Sequence, residues 1–213
     1  MEQISRNPWL DIPLEDYEAH MAAASVEQAS MLADTLGSLL EAYRPRSLAI
    51  LGSAGGNGLD RVDREITERV VVVDINADYL ETCRQRYCQC FDSFESVNCD
   101  LSNSQPFEVP VEFVYAALVV EYLNADAFLE YAPSLVEPLG RIAFVFQDQS
   151  PQGPVTSTSL ASIRKLEETH SSVNVENVIR SLTAHGLTVV ERRGIVSVPG
   201  KSFTLLVLRK QNE

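Results

Sequence analysis

The sequence predicts an α/β protein built on a seven-stranded, mostly parallel sheet with helices on both faces. Three observations predict it. Short apolar runs alternate with amphipathic segments from Leu48 onward. A glycine-rich turn, "GSAGGNG" from Gly52 to Gly58, follows the first of these runs. The last two strand-like runs are joined by only Pro199-Gly-Lys201, a link too short for a crossover, so the closing pair must be an antiparallel hairpin. Apolar runs without polar alternation mark strands covered on both sides, as parallel strands are.

The elements follow in order. "LEDYEAHM" reads as a short helix. Val26 to Tyr43 reads as a longer amphipathic one, with Ala29, Leu32, Ala33, Leu36, Leu39, Leu40 and Tyr43 at helical spacing and Pro45 beyond its end. A strand at Leu48 to Gly52 is followed by a short helix around Gly58 to Ile66. "RVVVVDIN" (Arg69 to Asn76) is a buried strand, "ADYLETCRQRYCQCF" a helix, and Ser96 to Cys99 a short strand. Val111 to Val120 is a strand, "ADAFLEYAPSLVEPL" a helix, and Gly140 to Gln147 a strand. Gln147 to Thr158 is a turn-rich loop, either a pocket border or a plain connection. "VENVIRSLTAHG" is a helix closed by Gly186, with Val175, Val178, Ile179 and Leu182 on one side. "LTVVERRGIVSV" and "SFTLLVLRK" form the closing hairpin. Residues 1–45 read as an N-terminal helical cap and 46–213 as the α/β unit.

Composition narrows the function. At 213 residues, 45% hydrophobic and 22% charged, the chain has the size and balance to bury one full core. A formal net charge of -13, with no block of Lys and Arg, makes nucleic acid a poor partner. No apolar run approaches the roughly 20 residues that span a bilayer. The first residues lack a basic region followed by an apolar one, so a cytoplasmic location is expected. Cys83, Cys88, Cys90 and Cys99 lack paired C-x-x-C spacing, and His20, His170 and His185 are scattered, so reduced thiols are expected rather than a metal site.

The residues with chemistry gather at predicted strand ends. A strand, a glycine-rich turn and a helix form the nucleotide-facing corner of many α/β folds. Asp74 ends the second strand about 20 residues after the first glycine, the spacing at which an acid meets ribose hydroxyls. A helix N-cap is the other reading of Asp74, although Asn76 already suits that role. Asp100 ends the third strand, either to accept a proton from the exocyclic amine of an adenine or to form a turn. After the fourth strand, Glu121 is either a base or a helix cap, and Tyr122 either lines a pocket or packs.

The order of "LAILGSAGGNGL", "VVVVDIN", "VNCDLSN", "VEFVYAALVVEYL", "LVEPLGRIAFVF" and the closing hairpin resembles the class I S-adenosylmethionine-dependent methyltransferases, over about residues 26–210. That resemblance implies a Rossmann-like fold with S-adenosyl-L-methionine as cofactor. It implies that Gly52, Ser53, Ala54 and Gly56 wrap the methionine end and that Asp74 takes the ribose. It also implies that Ile75 packs on the adenine, that Asp100 and Leu101 hold its edge, and that Ala116 and Ala117 lie beside the sulfonium. Apart from the resemblance, the N-terminal segment is either a lid over the cofactor, with Tyr17, His20 and Met21 facing inward, or a structural strap, and Gln28 on the next helix is placed to reach the methionine carboxylate. Tyr122 would line the pocket or sit over the sulfonium. Two departures stand out. Ala54 replaces the middle glycine of G-x-G-x-G, and Ile50 stands where the family has an acid. The acidic composition leaves a small molecule or a basic protein as acceptor. A cofactor-binding regulatory or scaffold protein is the other class, and an NAD-dependent oxidoreductase fits the turn and the terminal hairpin less well.

Overall fold

The computed structural model describes residues 7–150, 153–196 and 201–212. In chain order these form α1 (Leu14–Ala22), α2 (Gln28–Tyr43), β1 (Ser47–Leu51), β2 (Arg69–Asp74), α3 (Ala77–Tyr87), β3 (Ser93–Asn98) and β4 (Val111–Ala117). There follow α4 (Ala125–Tyr131), β5 (Val136–Gln147), the single turn α5 (Ala161–Arg164), α6 (Val175–Ala184), β6 (Leu187–Val196) and β7 (Ser202–Lys210). One seven-stranded sheet runs in the order β3-β2-β1-β4-β5-β7-β6. The first five strands are parallel, and β7 lies antiparallel between β5 and β6.

Strand periodicity explains the two core layers, since successive side chains leave a strand on opposite faces. Ala49, Leu51, Val71, Val73 and Val114 pack on one face with Phe128 of α4 and Leu182 of α6. Leu48, Ile50, Val70, Val72 and Phe113 pack on the other with Leu36 of α2 and Leu80 of α3. Every residue of β1 is buried, as its unbroken apolar run requires. Asparagine side chains cap three helices: Asn76 on α3, Asn124 on α4 and Asn174 on α6. Each accepts a backbone N–H that the first helical turn leaves without a partner. Gly186, at φ +81°, ends α6.

Several expectations are corrected. Gly58 to Ile66 holds only a 3-10 turn, Leu59–Arg61. Leu59 and Val62 are buried there, and Val62 is already extended. Asp63 then accepts the Glu65 N–H through its side chain, a local bond that competes with helix. The helix expected through Leu139 stops at Tyr131, because Pro133 has no N–H to continue it. A 3-10 turn takes Ala132–Leu135, and Val136 already pairs with Val111 as the start of β5. The long helix begins at Gln28, since Glu27 is left-handed. α5 and the 3-10 turn Lys165–Glu168 were not anticipated at all. Of the predicted loop and hairpin link, residues 151–152 and 197–200 lie outside the described residues.

Among the described residues no helix is long and apolar enough to cross a membrane.

Candidate functional site

The sheet order reverses between β1 and β4, and open α/β sheets bind ligands beyond the carboxyl ends of strands at that point. A cavity lies there. It is lined from β1 and its turn by Gly52 and Ala54, from β2 by Asp74 and Ile75, and from the end of β3 by Cys99, Asp100 and Leu101. Ala117, Leu118 and Val119 come from β4 and the turn after it, while Trp9 and Tyr17 come from the N-terminal segment.

Two strained backbone positions line this cavity. Ala54 and Leu118 both adopt left-handed conformations, at φ +46° and +55°. For residues with a Cβ this is costly and tends to mark functional positions. The alanine at the middle glycine therefore occupies a conformation that glycine would adopt freely. Asp74 holds it there: the Ala54 N–H donates to Asp74 Oδ2 at 2.9 Å. The Asn76 N–H donates to Asp74 Oδ1, also at 2.9 Å. Each oxygen retains acceptor capacity, as a carboxylate can take about four hydrogen bonds. Burial raises Asp74 to about 6, against the opposing pull of the Asn76, Ala54 and Ile75 backbone N–H groups. Gly52, at φ +68°, comes so close to Val119 that an added Cβ would stand 2.3 Å from its Cγ2. Gly52→Ala is therefore expected to cost about 2 kcal/mol, from strain and a clash with a stiff β-branched neighbour. Urea titration checks this, and an unchanged midpoint would mean that the loop relaxes freely.

The N-terminal segment is tied to this edge by α3. Asn76 Nδ2 donates to the Trp9 carbonyl at 2.9 Å, and the buried Tyr79 hydroxyl donates to the Ile12 carbonyl at 2.8 Å. Trp9 stands edge-on to Tyr17 and Tyr122, with centroids 5.5 and 5.1 Å away.

Trp9, Tyr17, Leu118 and Tyr122 also line a second cavity, so the two spaces share one largely aromatic wall. The second cavity holds His20, Met21, Gln28, Glu121, Gln147, His170 and Lys201, among others. Glu121 is buried, and it does not cap α4, which Asn124 does. Its Oε1 accepts the Gln147 N–H at 2.8 Å, while its Oε2 has no partner. Burial raises Glu121 to about 7.

The predicted site residues thus divide. Gly52, Ala54, Asp74, Ile75, Asp100, Leu101, Ala117, Tyr17 and Tyr122 meet at the first cavity. Gln28 and Glu121 face the second, which Tyr17 and Tyr122 share. Ala116 points into the core. Gly56 lines a separate space beside Glu18 and Arg86. Ser53 is buried, and its hydroxyl has no partner. Asp100 also does turn work, accepting the Ser102 N–H and the Asn103 side-chain amide. Sequence reasoning did not find Lys201 or His170. Lys201 sits in a link that reads only as a turn, and His170 in a stretch with no periodicity to orient it.

No family model matches the chain, and no curated protein sequence matches it. Solved structures do match. The N-methyltransferase NodS from Bradyrhizobium japonicum WM9, in complex with S-adenosyl-L-homocysteine, is 17% identical, with 96% of this chain and 99% of that one covered at a TM-score of 0.65. Magnesium protoporphyrin IX methyltransferase ChlM from Synechocystis PCC 6803, with bound S-adenosylmethionine, is 12% identical, with 98% and 96% covered at 0.69. The 4+2 cyclase SpnF is 11% identical, with 84% and 82% covered at 0.64. The chain therefore has the class I, Rossmann-like methyltransferase fold.

Proposed function

We propose that this protein is an S-adenosylmethionine-dependent methyltransferase acting on a small molecule. The observation that carries the reading is the shared wall. Two cavities meet at Trp9, Tyr17, Leu118 and Tyr122, beyond the carboxyl ends of the strands. Methyl transfer needs donor and acceptor held in line at contact distance, so adjoining sites with one boundary suit it.

The residues present fit the cofactor. Asp74 has free acceptor capacity for two ribose hydroxyls, and Ile75 and Leu101 offer apolar surface to an adenine beside Asp100. Gly52 and Ala54 leave room for the methionine end near Ala117, and Ser53 and Gly56 shape the loop, while Gln28, expected at the methionine carboxylate, lines the second cavity instead. When bound, the cofactor supplies a methyl carbon activated by positive sulfur. The aromatic rings exclude water and favour that positive charge. Glu121 Oε2, buried and without a partner, accepts the proton that the acceptor nitrogen or oxygen gives up. Its raised pKa, near neutrality, suits a group that must both take and release a proton.

A second reading is binding of this cofactor without methyl transfer. Two observations favour it: the fold also serves a 4+2 cyclase, and Ile50, buried in the core, stands where the resemblance expects an acid. Thermal unfolding and label transfer separate the readings. S-adenosylhomocysteine at about 100 times its Kd should add about 2.7 kcal/mol of stability, and NAD none. Methyl-labelled S-adenosylmethionine should then pass label to a component of a small-molecule extract. Stabilisation without any label transfer favours the second reading, and stabilisation by NAD alone overturns both.

A further inference from the structure

The second cavity contains a buried cation with no counter-ion among the described residues. Lys201 is 7% exposed, and its ammonium donates to the Pro154 carbonyl at 2.7 Å and to Gln147 Oε1 at 3.4 Å. No carboxylate among the described residues lies within ion-pair distance of it. The ammonium has a third N–H to give. In a chain of net charge -13, an ammonium left in this state is unusual, because a buried charge without a partner is costly.

Its neighbours do not supply the missing charge. Glu121, the carboxylate of this cavity, is held by the Gln147 backbone and is not paired with Lys201. His20 and His170 face the same space; the His170 ring bonds its own backbone and stands edge-on to Tyr122. Burial, and the charge of Lys201, push both imidazoles toward their neutral forms. The neutral His20 ring then offers one N–H donor to the same space. Burial also lowers Lys201 to about 8, so it is still mostly charged at neutral pH. Around this polar end, Met21, Val155, Ile163 and Leu166 supply apolar surface.

We propose that the second cavity binds an acceptor with an apolar body and an anionic group, carboxylate or phosphate, seated on Lys201 between His20 and His170. This deepens the methyltransferase reading and rests on it for the word acceptor. The anion supplies the counter-ion that the fold withholds, and it orients the rest of the molecule toward the aromatic wall and Glu121.

Fluorine NMR titration of the full-length protein tests the seat, using 4-fluorobenzoate, 4-fluorophenyl phosphate and the neutral 4-fluorobenzamide. At least one anion should bind ten or more times more tightly than the amide, whether or not S-adenosylhomocysteine is present. Which anion wins decides between carboxylate and phosphate. Lys201→Gln keeps a donor for the Pro154 carbonyl and removes the charge, so it should reduce the preference to less than threefold. If Lys201 is only a latch between the hairpin and Pro154, this variant will keep the preference, and the proposal fails. Equal binding of anion and amide by the unaltered protein, or binding of neither, overturns it without any variant. Displacement of S-adenosylhomocysteine by the anion also counts against it, because the two then share one cavity. The cofactor is read separately: an anion preference with no S-adenosylhomocysteine binding refutes methyl transfer and leaves the seat standing.

Discussion

Replacing Asp74 with alanine is expected to weaken cofactor binding on the order of ten- to a hundredfold while leaving the protein folded. The binding loss follows from two hydroxyl contacts to a charged acceptor, worth about 1.5–3 kcal/mol. The fold survives because two effects oppose. Removing the carboxylate strands the Ala54 and Asn76 N–H groups, at about 1–3 kcal/mol each where water cannot replace it. It also removes a buried charge whose pKa, raised from 3.8 to about 6, represents on the order of 3 kcal/mol against the ionised folded state. The pH dependence distinguishes these effects. Between about pH 4 and pH 6 the folded protein holds a proton that the unfolded chain has released, so stability falls as pH rises through that window and levels off above it. Asp74→Ala should lack this step. Cofactor affinity runs the other way: ionised Asp74 accepts both hydroxyls, so affinity in the unaltered protein falls as pH drops below about 6. Calorimetric titration from pH 5 to 8 measures it. A folded Asp74→Ala protein with unchanged affinity ends the ribose assignment.

What was legible in the sequence was whatever repeats or is punctuated. The four valines of β2 admit hardly any reading but a strand buried on both faces, and the short final link forces an antiparallel pair. Asp74 and Asp100 were legible because a strand end fixes where the next side chain emerges. The segments that failed were those decided by tertiary competition. Gly58 to Ile66 has helix formers, but Leu59 and Val62 are drawn into the core and Asp63 closes its own turn. Glu121 was readable as a base or a helix cap, and only the fold brings the Gln147 amide to it. Lys201 was invisible for the same reason. A lysine in a turn reads as solvated until β7, inserted between β5 and β6, carries it beside Pro154.

Deleting residues 1–24 is expected to leave a folded but less stable protein that binds cofactor much more weakly, because we propose that this segment serves as a lid. The sheet, both of its faces and α2 to α6 are assembled from Gln28 onward, apart from Met21 and Tyr17 in one core layer. Burial of Ile12 against Val155, Ile163 and Leu166, and of Met21 against α2, would be lost at about 1.5–3 kcal/mol each. Together that is about 3–6 kcal/mol, which overlaps only the bottom of the range of about 5–15 kcal/mol typical of domains. The Tyr79 hydroxyl and Asn76 amide lose their acceptors at Ile12 and Trp9, but they become open to water, which takes over those bonds. The cofactor has no such replacement. Trp9 and Tyr17 form part of the walls of both cavities, so their removal admits water to the charged sulfur and erases the boundary that sets its distance from the acceptor. Trp9→Ala in the full chain probes the same wall with far less loss of stability, and a drop of tenfold or more in S-adenosylhomocysteine affinity is expected there too. If the truncated protein is folded by circular dichroism and both variants bind as tightly as the full chain, the segment is a structural strap, and cofactor recognition lies wholly in the sheet edge and its loops.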